Sequence, residues 1–270
     1  MAKKSLGQNF LFDPSILNGI IEASGITPDD TVMEIGPGPG RLTLMLSRNA
    51  GRVVAIELDN GLYQKLQVEV EGRENIELIP GDALKYDYSN LGPFKVVANI
   101  PYYITTPLIF KLLEARSNLI SMTLTIQKEV AQRIVAQPGT KDYGVLTLAV
   151  QYYAEPEIKF IIPASAFRPV PKVDSAAIHM VIRKGPKVIV ADEALFFRVI
   201  RTGFSQRRKT LTNALKPLIP QLQLARDIRD ILIDISIDPV RRAETLSMEE
   251  FAKLADHLYC IGHTNQPDSP

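Results

Sequence analysis

Thr31-Val-Met-Glu-Ile-Gly-Pro-Gly-Pro-Gly40, followed by Arg41-Leu-Thr-Leu-Met-Leu-Ser-Arg48, decides the reading of this chain. The short run at 31–35, rich in β-branched and apolar residues, predicts a buried strand, and the segment after Gly40 predicts a helix over 41–48. Glycines between them let the backbone turn tightly and approach a ligand with no Cβ in the way. The spacing is G-x-G-x-G, with Arg41 standing where a dinucleotide fingerprint has its third glycine. An acid before the first glycine and two interposed prolines suit a ligand without a pyrophosphate. That favours S-adenosylmethionine over a nicotinamide dinucleotide.

Similar runs recur on either side. Arg52–Glu57 (RVVAIE), Ile76–Pro80 (IELIP), Phe94–Asn99 (FKVVAN) and Ser121–Ile126 (SMTLTI) read as buried strands, alternating with helical segments. Asp13-Pro14 and Thr106-Pro107 each read as an N-cap followed by proline at the first helical position. The expected class is α/β: a Rossmann-like parallel sheet with helices on both faces and its strands' carboxyl ends along one edge. After Gly185-Pro186 the pattern turns helical, with Asp192 as a cap and Ser247-Met-Glu-Glu250 spaced as a capping box. The expected organisation is a cofactor-binding domain over 1–186, a helical domain over 187–259, and a polar tail over 260–270.

The 270 residues carry 31 Lys and Arg against 30 Asp and Glu, but the balance hides a bias. Arg198 to Lys216 holds six basic residues and no acid, a phosphate-binding surface or a solvated helix face. One cysteine, Cys260, precludes an internal disulfide, and three histidines suggest no metal cluster. The start, MAKKSLGQNF, lacks a secretory apolar core, and no apolar run nears the ~18 residues of a membrane helix. A reduced, soluble, cytoplasmic protein is expected.

Two acids sit where a nucleoside needs them. Glu57 ends the second strand and can accept both ribose hydroxyls; Asp82, in Gly81-Asp82-Ala83 after the third, can accept from an adenine amine. Helix capping is the plain alternative for both. The fourth strand ends in Asn99-Ile100-Pro101-Tyr102, the expected chemical centre. An adenine N6 is a poor nucleophile because its lone pair is delocalised into the ring. The Asn99 side-chain oxygen and the Ile100 carbonyl, accepting from its N–H groups, would aim that lone pair at a methyl donor, and Tyr102 offers a face for stacking.

Together the motifs QNFL (8–11), EIGPGPG (34–40), AIELD (55–59), GDA (81–83), NIPY (99–102), QKEVAQR (127–133), FRPVPKVDS (167–175), FSQRRKTLTNAL (204–215) and DPVRRAETLSMEEF (238–251) resemble, in order, the bacterial small-subunit ribosomal RNA adenine dimethyltransferases, the KsgA/RsmA group. The resemblance runs from residue 3 to about 258. It implies that Asn9 and Leu11 close over the methionine end of S-adenosylmethionine, that Gly36, Glu57 and Asp82 hold the cofactor, and that Asn99 contacts cofactor and target. Tyr102 and Phe167 would sandwich the extruded adenine. The implied substrate is a pair of adjacent adenosines in the 3′-terminal hairpin loop of small-subunit rRNA, within an immature 30S particle. No metal, no membrane and a monomer are expected, with phosphate contacts from Lys3, Lys4, Arg207, Arg208 and Lys209. A large-subunit rRNA methyltransferase, a non-catalytic assembly factor and a small-molecule methyltransferase are the competing readings.

Overall fold

The computed structural model describes residues 8–264. In chain order the elements are β1 (Phe10–Leu11), α1 (Pro14–Ser24), β2 (Thr31–Ile35), α2 (Arg41–Asn49), β3 (Arg52–Glu57), α3 (Asn60–Glu69), β4 (Ile76–Pro80), β5 (Phe94–Asn99), α4 (Thr105–Glu114), β6 (Leu119–Gln127), α5 (Lys128–Ile134) and α6 (Val145–Tyr153). There follow β7 (Ala154–Ile162), β8 (Phe167–Arg168), β9 (Ser175–Ile182), α7 (Glu193–Ser205), α8 (Leu211–Leu215), α9 (Leu218–Gln221), α10 (Ile228–Asp234) and α11 (Met248–Thr264).

Seven strands form one sheet in the order β4-β3-β2-β5-β6-β9-β7. The first five in that order run parallel, as expected, whereas β9 lies antiparallel to β6 and β7 antiparallel to β9. The sheet is therefore mixed. Pro156 is tolerated in β7 because that strand is the sheet's edge, where no ladder partner needs its missing N–H. The strand order starts at β2 and reverses there, so the carboxyl ends of β2, β3, β4 and β5 share one edge.

The apolar interior follows from strand alternation. Val32, Val53, Val97 and Ala177 pack with Leu17 and Ile20 of α1 and Leu42 and Leu46 of α2 in one buried cluster. Asp13 caps α1 by accepting from the Ser15 N–H, as read from Asp13-Pro14. The second reading of this kind is corrected: α4 begins at Thr105 directly from the 3-10 turn Tyr102–Ile104, so Thr106 is already helical and no side chain caps the helix.

Two compact units divide the chain: one comprises the residues up to Val135 and Tyr153–Lys184, the other Ala136–Tyr152 and the residues from Gly185. The expected single boundary at 186 thus misplaces 136–152. Tyr152 explains why: it is 1% exposed, with its ring centroid 5.1 Å from Phe196 and 5.2 Å from Phe197. Asp192 caps α7 by accepting from Leu195 N–H. Ser247 and Glu250 form a reciprocal capping box at α11, at 2.8 and 3.2 Å. That helix continues to Thr264, five residues into the stretch expected as tail.

Candidate functional site

Gly36, Gly38 and Gly40 all adopt positive φ, at 67°, 57° and 79°. Close approach adds to the requirement: a Cβ on Gly38 would fall 2.7 Å from the Phe10 ring, and one on Gly40 2.3 Å from Leu66. The loop that results points its backbone into the site. Gly38 donates its N–H to Glu57 Oε2 at 3.0 Å, and Asp59 donates to Oε1 at 2.8 Å. Each carboxylate oxygen retains lone-pair capacity for a hydroxyl. Burial pushes the Glu57 pKa above its usual range, while the Asp59 and Gly38 amides pull it down.

Behind the loop lies a second acid. Glu34 is 2% exposed, and its Oε2 has no hydrogen-bond partner. Burial pushes its pKa up to about 8, the Thr43 hydroxyl draws it down somewhat, and the charge on Glu57 raises it. At neutral pH Glu34 is therefore held mainly in its neutral form.

Two small cavities flank Glu57 and Gly36, which line both. One, of about 60 Å³, is bounded by Leu58, Asp82 and Tyr103. One Asp82 oxygen accepts from the Leu84 N–H at 2.9 Å, closing a turn; no helix follows for it to cap. The other cavity, of about 40 Å³, is lined by Asn9, Phe10, Gly38, Asn99, Ile100 and Tyr102, among others. The bend at 99–102 and the glycine loop therefore face the same space.

Each residue of the bend is anchored. Asn99 donates from Nδ2 to the Asn9 carbonyl at 2.9 Å, which fixes the amide and leaves Oδ1 as its acceptor end. Ile100 is buried and spends its N–H on the Thr125 carbonyl at 3.2 Å. Tyr102 is half-buried, and its hydroxyl lies 2.8 Å from Ser175 Oγ. Burial raises its pKa, so the phenol stays protonated.

Other expected residues fall elsewhere. Phe167 is 0% exposed, inside the cluster that holds Leu17, Ile20 and Val32. Pairing of β1 with β8, with Leu11 opposite Phe167, closes over it. Its ring is enclosed in this core cluster, whereas the Tyr102 ring lines the cavity beside Asn99. Leu11 shares that cluster and does not line the cofactor cavities, whereas Asn9 does. Phe10 and Gln8 line the site and were not singled out by sequence; the QNFL motif pointed to the segment but not to which of its side chains turn inward.

Lys3 and Lys4 lie outside the described residues. Arg208 and Lys209 are exposed. Arg207 is exposed as well, and in addition donates from Nη2 to the Tyr143 carbonyl and lies 5.6 Å from the Phe204 ring centroid, within its own unit. Among the described residues no cluster of His, Cys, Asp or Glu could hold a metal, and no helix is long and apolar enough to cross a membrane.

Residues 1–254 match the family described as ribosomal RNA adenine dimethylase. The chain belongs to that family. Among curated relatives, the ribosomal RNA small subunit methyltransferase A of Listeria welshimeri is 48% identical over 266 residues, covering 95% of this chain and 90% of the relative. The protein of the same name from Geobacillus thermodenitrificans is 47% identical over 265 residues, with the same coverage. Among solved structures, a dimethyladenosine transferase from Plasmodium falciparum superposes with a TM-score of 0.79 at 29% identity, covering 91% of this chain and 95% of that one. The 23S rRNA methyltransferase ErmE gives 0.72 at 28% identity, covering 93% and 100%. A family of adenine dimethylases fits the bend just described, because two acceptors and an aromatic face are what an exocyclic amine needs.

Proposed function

We propose that this chain dimethylates N6 of two adjacent adenosines in the 3′-terminal hairpin loop of small-subunit rRNA, using S-adenosylmethionine. One observation carries the reading: Asn99, Ile100 and Tyr102 share a cavity with Gly36, Gly38 and Glu57. The residues present fit the cofactor. Glycines whose Cβ atoms would meet Phe10 or Leu66 leave backbone room, and the carboxylate of Glu57 is held by two amides with acceptor capacity left over.

When bound, S-adenosylmethionine supplies a methyl group on a sulfonium, an electrophile that needs no metal. Glu57 takes the ribose hydroxyls and Asp82 the adenine amine, while Gly36 and Asn9 border the methionine end. Asn99 Oδ1 and the Ile100 carbonyl accept from the target N6–H groups and draw that nitrogen toward tetrahedral geometry. Tyr102 stacks on the base. No strong general base is required, since the methylated ammonium loses its proton to water, so catalysis rests on positioning and electrostatics.

A loop adenine costs little to unstack, which makes extrusion into the pocket affordable. The cavity beside Asn99 has room for only a water or two, so the segment carrying Asn9 and Phe10 shifts when the base enters. Arg208 and Lys209 supply sequence-independent phosphate contacts, and the substrate is rRNA in an immature small-subunit particle, met by a cytoplasmic monomer. Mass spectrometry of rRNA from isolated small and large subunit particles, after incubation with labelled cofactor, tests the reading. Two methyl groups on each of two adjacent small-subunit adenosines are expected. Label in large-subunit rRNA alone would replace it with the activity named for ErmE.

A further inference from the structure

The motif FRPVPKVDS (167–175) ends at a buried hydroxyl to which the proposed reaction assigns nothing. Ser175 is 0% exposed and opens β9, held between two strands: it pairs with Gln127 of β6 on one side and Ile162 of β7 on the other. The residue before it is clamped as well. Asp174 accepts from the Ala164 N–H through its carboxylate and from the Lys128 N–H through its carbonyl, both at 3.0 Å. Ser175 Oγ is therefore a fixed point of the sheet, and it lies 2.8 Å from the hydroxyl of Tyr102.

Tyr102 needs such a point. It sits in the short 3-10 turn Tyr102–Ile104, just beyond Pro101, in a position that is only half-buried. A ring held there by its own backbone alone would be free to change rotamer, and each excursion would move the stacking face away from Asn99. Fastening the far end of the ring removes that freedom, because Cβ and the para oxygen define the ring's long axis, and an axis held at both ends cannot swing to another χ1 rotamer. The phenol remains protonated, so the tie persists across the working pH range.

We infer that Ser175 is a positioning residue: its hydroxyl, fixed by the antiparallel half of the sheet, holds the far end of the Tyr102 side chain and so keeps the ring in the one rotamer that sets it beside Asn99, where the target adenine stacks. This rests on the proposed activity and deepens it. A loosely held ring still stacks part of the time, so the loss is modest; a typical hydrogen bond of ~0.5–1.5 kcal/mol corresponds to about a two- to tenfold change.

The test is a double-mutant cycle in the full-length protein with Ser175→Ala, Tyr102→Phe and both together. Single-turnover methyl transfer to small-subunit particles is measured at saturating cofactor, with cofactor affinity by calorimetry. Each single change should slow transfer by about two- to tenfold, the pair no more than either alone, and cofactor affinity should stay within about twofold. Losses that multiply, or a Tyr102→Phe variant with full activity, overturn the inference. If Ser175→Ala fails to fold, Tyr102→Phe removes the same bond from the surface side and carries the test alone. A wild-type protein that transfers no methyl to these particles refutes the proposed activity itself. The tie is then judged by whether Ser175→Ala and Tyr102→Phe change the mobility of the ring at position 102 equally in NMR line shapes; unequal changes refute it.

Discussion

Replacing Glu34 by glutamine should remove a pH-dependent burden from the fold. In the unfolded chain this carboxyl ionises near 4.5, whereas burial holds the folded-state value up to about 8. Between those values the folded protein binds more protons than the unfolded one, so stability falls as pH rises. Below 4.5 both states are protonated and nothing is lost; above 8 both are ionised and the whole penalty is present. At ~1.4 kcal/mol per pH unit the full span amounts to about 5 kcal/mol. Glutamine has no proton to lose. Glu57 titrates in wild type and variant alike, so its own contribution cancels to first order. Urea unfolding, followed by circular dichroism at pH 5, 6, 7 and 8 without cofactor, gives the difference in stability directly. The variant should gain on wild type by little at pH 5 and by several kcal/mol at pH 8. A difference that stays constant from pH 5 to 8 would show that Glu34 is charged in the folded state, and the argument would fail.

Glu57→Gln should weaken cofactor binding at least tenfold by calorimetry, since a charged acceptor held by the Gly38 and Asp59 amides is lost. Because burial raises the Glu57 pKa, wild-type affinity should also fall on acidification from pH 7 toward 5; a flat profile would count against the ribose assignment. Tyr102→Ala should slow methyl transfer far more than it weakens cofactor binding, and equal losses would argue against base stacking there. Arg208→Ala with Lys209→Ala should flatten the salt dependence of RNA binding without lowering the melting temperature. Arg207→Ala should lower that temperature, because its guanidinium is tied to Tyr143; a melting curve identical to wild type would return Arg207 to the RNA surface.

Four parallel strands, 31–35, 52–57, 76–80 and 94–99, are legible in the sequence to the residue. Three of them, 31–35, 52–57 and 94–99, are runs buried on both faces, the edge strand 76–80 is partly buried, and residues such as Gly36 and Gly81 end them. The antiparallel pair is not, and the reason is local. Pro156 argues against a strand until its edge position is known, and Ala176-Ala177 in β9 carry little β preference of their own. Neighbours, not propensity, make these strands. The same holds for 136–152, whose membership of the helical unit is decided by where the Tyr152 ring is buried. That the glycine loop and the two strand-end acids would gather at one edge was readable because they are sequential features whose placement follows from topology, and Gly36, Glu57 and Asp82 do line one cavity.

Phe167 shows where such reading stops. An aromatic residue opening a loop motif looks the same whether its ring faces a base or the core, and only the two-residue pairing of β1 with β8 decides between them. That pairing cannot be held by its ladder alone, since hydrogen bonds worth ~1 kcal/mol each across two residue pairs fall short of the ~1–2 kcal/mol per residue that ordering the four residues costs. What secures it is burial: Leu11 and Phe167 are 4% and 0% exposed, and each such side chain contributes ~1.5–3 kcal/mol. Asn99 is fastened to the same segment through the Asn9 carbonyl. One short stretch of chain thus sets both the orientation of the Asn99 amide and the covering of the Phe167 ring. A substitution that loosens it, such as Leu11→Ala, must therefore disturb methyl transfer and core packing together, never one without the other.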